Sequence, residues 1–104
     1  MKDDQVINVI AYQEGDVWIA QGIEFDIVAR ANSPDAVPAA FSKAFAKTAA
    51  ISHQLYGAPF TGVGRAPARF KGMFDNAQAQ LVPVGLLDYG VEDTHVDIRL
   101  AAAA

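Results

Sequence analysis

The hydrophobic pattern of this chain changes period at Ser33. Before that point apolar residues alternate or fill both alternations, as strands require. After it they return every three or four positions, as a helix requires. A chain written this way makes strands first and then helix, which predicts an α+β domain.

The strand half reads in detail. Val6, Ile7, Val9, Ile10, Ala11 and Tyr12 put apolar side chains on both faces of one run, the mark of a central strand covered on both sides. Gln13-Glu14-Gly15-Asp16 is a hairpin turn. Val17, Ile19, Ile23, Phe25, Ile27 and Ala29 then share one face, and Trp18, Ala20, Glu24, Asp26 and Arg30 the other. This alternation is too long for one ordinary strand, and Gln21-Gly22 marks the bend. The expectation is strands over about 16–21 and 24–30, completing a three-stranded antiparallel meander.

Asn32-Ser33-Pro34-Asp35 signals a helix start. Asp35 as the cap puts Pro38 at the third helical position, where no donor is needed. The expected helix covers 35–56, with Val37, Phe41, Ala44, Phe45, Thr48, Ile51 and Leu55 on one face and Gly57 as the stop. It should pack across the sheet through Phe41, Phe45 and Leu55. Gly62, Gly64, Pro59 and Pro67 make the connection Ala58 to Ala68 turn-rich, and residues 57–66 are the candidate hinge. A shorter helix from near Pro67 would carry Phe70, Met73, Phe74, Ala77 and Leu81 and be broken by Pro83 and Gly85. Val96, Ile98 and Leu100 alternate with His95, Asp97 and Arg99, so a last strand is expected from Asp93 to Leu100 with its polar residues toward solvent. The tail Ala101 to Ala104 carries no pattern.

The chain has 104 residues, one domain's worth, and no internal boundary shows, so a single domain over 1–104 is expected. Hydrophobic residues make up 52%, too apolar for a disordered chain and high for a core this small. Some of that surface is therefore expected in an oligomer interface. The absence of cysteine removes disulfides, thiolate metal sites and cysteine nucleophiles. It also favours a reducing compartment. Met1-Lys2-Asp3-Asp4-Gln5 has no signal-peptide character and no apolar run is long enough for a membrane span, so a cytoplasmic protein without a membrane partner is expected. The formal net charge of −4 makes nucleic acid an unfavourable partner except at a local basic patch.

The hairpin Tyr12-Gln13-Glu14-Gly15-Asp16-Val17-Trp18-Ile19-Ala20, the segment Ile23-Glu24-Phe25-Asp26-Ile27 and the helix start Ala31-Asn32-Ser33-Pro34-Asp35-Ala36-Val37 together resemble the N-terminal domain of HicB-type antitoxins. The resemblance covers roughly residues 6–56. It departs from the family at Gln21-Gly22, where a proline and glycine are usual, and at Ala31-Asn32, where Gly-Asp is usual. Residues 57–104 do not read as a helix-turn-helix or a ribbon-helix-helix arm. The resemblance implies a partial ribonuclease-H-like fold without the nuclease, often dimeric or tetrameric.

Few residues invite chemistry. His53 on the long helix reads as structural, and His95 as part of a polar strand face. Glu24 and Asp26, two apart on a strand, would point the same way, and Asp97 is the one tempting third carboxylate for a divalent metal. Solvated strand charges explain them more simply, and no catalytic, cofactor or metal residue is assigned. Gly62-Val63-Gly64-Arg65 lacks the phosphate-loop spacing and follows a helix. Arg65, Arg69 and Lys71 beside Phe70 form the one basic cluster visible in the sequence. Trp18 is core if both sheet faces are covered and an interface anchor if only one is. The candidate interface residues are thus Trp18, Arg65, Arg69 and Phe70. The expected function is a non-catalytic, antitoxin-like protein-binding module, assembling with itself and with a small toxin-like protein. The alternatives are an orphan structural or regulatory homo-oligomer and a small metal-dependent enzyme using Glu24, Asp26 and Asp97.

Overall fold

Gln5–Glu14 forms strand β1, and its doubly apolar character places it inside the sheet. The computed structural model describes the backbone of residues 5–58, 60–77, 79–86 and 94–101, and side chains over 6–58, 60–77 and 96–101. After β1 come β2 (Val17–Gly22), β3 (Val28–Ala31), a 3-10 turn (Pro34–Ala36), helix α1 (Val37–Tyr56), helix α2 (Ala68–Asp75), β4 (Ala79–Leu86) and β5 (Thr94–Leu100). The fold is α+β, with a five-stranded mixed sheet in the order β3-β2-β1-β5-β4. β1, β2 and β3 form the expected antiparallel meander, while β5 returns parallel to β1.

Helices cover both faces of β1. Ile7, Val9 and Ala11 meet α1 through Val37, Phe41 and Phe45 in the main core. Ile10 on the other face meets Phe70 and Phe74 of α2, with Tyr12 stacked on Phe70 at 6.0 Å. Phe41 and Phe45 are fully buried, and burial of a side chain this size is worth about 1.5–3 kcal/mol. Among the described residues no helix is long and apolar enough to cross a membrane.

The third strand is shorter than expected. Residues 23–25 form bends and 26–27 are irregular, because the Gly22 N–H donates to the Ile27 carbonyl at 2.8 Å and closes a tight loop. A Cβ at Gly22 would lie 2.6 Å from the Phe25 carbonyl oxygen, so only glycine permits that approach. The loop resets the alternation. Ala29 pairs with Ala20 and Arg30 with Ile19, so Ala29 shares the face of Trp18 and Ala20 and not that of Ile19.

Asp35 does not cap the long helix. The 3-10 turn takes up Pro34–Ala36, Ala36 stands at the cap, and Pro38 falls in the first turn, where its missing N–H costs nothing. Gly57 ends α1 in the left-handed conformation, as expected. The buried stripe is Val37, Phe41, Phe45, Ala49 and Ser52. Ile51 and Leu55 are exposed, Leu55 at 67%, which corrects its expected place in the packing. The apolar row and the contact row diverge along α1, and no residue of the helix after Ser52 is buried.

Residues 60–66 of the candidate hinge contact the rest of the fold. Phe60 stacks on Phe25 and meets Phe45 at a tilt, each at 4.7 Å, the Asp26 N–H donates to the Gly64 carbonyl at 2.7 Å, and the Ala66 N–H to the Ile23 carbonyl at 3.0 Å. α2 ends at Asp75, with the Asn76 backbone and side-chain N–H groups both on the Gly72 carbonyl. Leu81, Pro83 and Gly85 belong to strand β4, not to the helix. β4 is an edge strand whose pairing with β5 shifts register between Gln80 and Val82 and again between Val82 and Gly85. Proline is tolerated at such an edge. Asp93, the expected first residue of the last strand, and Ala102 to Ala104 lie outside the described residues.

Candidate functional site

The carboxylates are held apart by their own partners. Glu24 sits on the bend after β2, not on a strand. Its Oε1 accepts the backbone N–H of Asn8 at 2.7 Å and its Oε2 the Asn8 side-chain amide at 2.8 Å. The neighbouring Asp26 is exposed, and its Oδ1 accepts from Nε2 of buried Gln21 at 2.7 Å. Asp97, expected at the surface, is only 5% exposed. α2 covers its face of β5. The Arg99 guanidinium bonds Asp97 at 3.1 Å and lies 4.3 Å over the Phe74 ring. Among the described residues no three His, Asp or Glu side chains converge as a metal site would need.

The candidate interface residues do not gather into one surface. Trp18 is half-buried against the main core, so the coverage of both faces makes it largely core. Phe70 is buried in the second core. Arg65 and Arg69 remain exposed, Arg69 with its guanidinium 4.6 Å from the Phe70 ring centroid. Lys71 is exposed and paired with Asp75 one turn on, at 3.1 Å. His53 is exposed in the last turn of α1. The side chain of His95 lies outside the described residues.

A different basic cluster forms where β3 meets α1. A groove of about 350 Å³ is lined by Ala29 and Arg30 of β3 and by Ala40, Lys43, Ala44 and Lys47 of α1. Its apolar lining is built from alanines, and its cations come from two elements. Lys43 and Lys47 stand one turn apart on α1. Arg30 borders the groove from the edge strand β3, with its side chain on the sheet face of Ile19, the face away from α1. Among the described residues none of these three cations forms an ion pair, unlike Lys71 and Arg99. Spacing alone puts the two lysines on one side of the helix, and alternation puts Arg30 on a strand. No local signal joins them, because they are separated by the loop, the 3-10 turn and the first turn of α1.

The groove opens beside an unfinished sheet edge. β3 has β2 on one side only, and among the described residues Val28–Ala31 makes no other backbone hydrogen bond. No protein-family model, curated protein or solved structure matches this chain.

Proposed function

We propose that this chain is a non-catalytic, HicB-like protein-binding module that assembles with itself and holds a small toxin-like protein in the manner of an antitoxin. The observation that carries this reading is the far end of α1. Ile51, Leu55 and Tyr56 are 46%, 67% and 61% exposed in the last turns of α1, with Ile51 and Leu55 one turn apart on the same side. A soluble chain keeps such a surface at a cost unless something docks on it. The carboxylates support the non-catalytic part, since Glu24, Asp26 and Asp97 are each engaged by a neighbour in the scaffold.

Self-assembly is tested by sedimentation over a tenfold concentration range. The expected result is a mass of at least twice 11.1 kDa, reduced toward the monomer by Leu55→Glu. Monomer mass throughout the range overturns it.

A further inference from the structure

Three features of one place in the fold have no role in the assembly surface at the end of α1: the edge strand β3, the alanine-lined groove beside it, and the cations of Arg30, Lys43 and Lys47, which form no ion pair among the described residues. We propose that this groove binds an extended acidic peptide segment of another protein, added as a strand to β3. The proposal rests on the reading of the chain as a protein-binding module and names the chemistry of one ligand.

The backbone of β3 offers the first half of the recognition. In an antiparallel pair, alternate residues turn N–H and C=O away from the partner strand. Of the four residues Val28–Ala31, two therefore present a donor and an acceptor outward. An extended peptide satisfies them by continuing the ladder, the mode known as strand addition. The other sheet edge is less suited to it. β4 carries Pro83, which has no N–H, and two register shifts.

The side chains offer the second half. The molecule as a whole is acidic, at −4, yet α1 contains no Asp or Glu in its 20 residues. Three of the chain's eight Lys and Arg residues border this one groove. A second copy of this chain is a poor occupant. Joining two β3 edges about a two-fold axis would bring the same cations of both copies toward one another, and like charges set face to face oppose association. Glutamates or aspartates on the α1-side face of an extended peptide would lie along Lys43 and Lys47, and one on the opposite face would meet Arg30. The small lining of Ala29, Ala40 and Ala44 leaves room for their side chains. Val28, 49% exposed, gives the added strand an apolar neighbour.

The test uses the full chain, labelled with 15N, and a short peptide alternating valine and glutamate, with an alternating valine and lysine peptide as its counterpart. The acidic peptide is expected to shift the amide signals of residues 28–31 and 40–47 and to bind at least about tenfold more tightly than the lysine peptide at low salt. Lys47→Glu should weaken it severalfold. Lys71→Glu, the same charge change outside the groove, should leave the affinity within about twofold. An acidic peptide with its alternate backbone amides methylated should fail to bind. Equal binding of the two peptides overturns the charge complementarity, and unimpaired binding of the methylated peptide overturns strand addition. Tighter binding of a single-stranded RNA oligonucleotide at the same amides assigns the groove to nucleic acid and overturns the proposal. Absence of any binding overturns it too, while leaving self-assembly, measured separately by sedimentation, to decide the broader reading.

Discussion

Glu24 holds Asn8 at two points, one carboxylate oxygen on the backbone N–H and the other on the side-chain amide, at 2.7 and 2.8 Å. The contact ties the bend after β2 to the central strand, and the Ile23 N–H on the Asn8 carbonyl ties it again. Hydrogen bonds to a charged group contribute about 1.5–3 kcal/mol each when formed in a protected place. Glu24 is half-buried, so Glu24→Ala is expected to cost about 2 kcal/mol, and Glu24→Gln less because one acceptor survives. Urea denaturation measures both. A cost for Glu24→Ala within the error of the method would mean that the contact is solvent-exchanged and structurally idle.

The two ends of α1 should respond differently to the same kind of truncation. Phe45→Ala removes a fully buried ring and is expected to cost about 3–5 kcal/mol. Leu55→Ala removes an exposed side chain and should change monomer stability by no more than about 0.5 kcal/mol. Equal losses would show that Leu55 is covered within the protomer.

Phe60 has a left-handed backbone, φ 63°, which is strained for a side chain of its size. Its ring is held by Phe25 and Phe45. Phe60→Ala loses the ring and keeps the strain. Phe60→Gly loses the ring and releases it. We expect Phe60→Gly to be the more stable of the two by about 1 kcal/mol, the reverse of the usual order. Thermal denaturation of the pair checks this, and Phe60→Ala proving more stable would refute the account.

No metal-dependent hydrolysis is expected. Assays for nuclease and phosphatase activity with Mg²⁺ or Mn²⁺ should stay at background for the natural chain and for Asp26→Asn alike, because among the described residues no third His, Asp or Glu joins Glu24 and Asp26 to hold a metal ion. Activity that disappears in Asp26→Asn would restore the enzyme reading.

The parts of the fold legible in the sequence are those decided within one element or one turn. The doubly apolar run of β1, the hairpin at Gly15, the end of α1 at Gly57 and the burial of Phe41 and Phe45 follow from pattern and turn chemistry alone. Strand β4 was not legible. A segment with Leu81, Pro83 and Gly85 carries weak propensity of either kind, and its strand form depends on pairing with β5. The burial of Asp97 was also hidden. Alternation tells which residues share a face but not whether a helix lies over it, and α2 does.

The candidate groove shows the same division most sharply. Lys43 and Lys47 share a helix face by spacing, and Arg30 lies on a strand by alternation; both facts are local. Their convergence was decided only in three dimensions. The tight loop after Gly22 sets the register of β3, and the packing of Phe41 and Phe45 sets the rotation of α1 about its axis. Periodicity reports the faces an element possesses. Which face meets a neighbour, and how far the element runs beyond it, depends on the shape of that neighbour. For that reason Leu55 is left outside and three like charges are left beside an open strand.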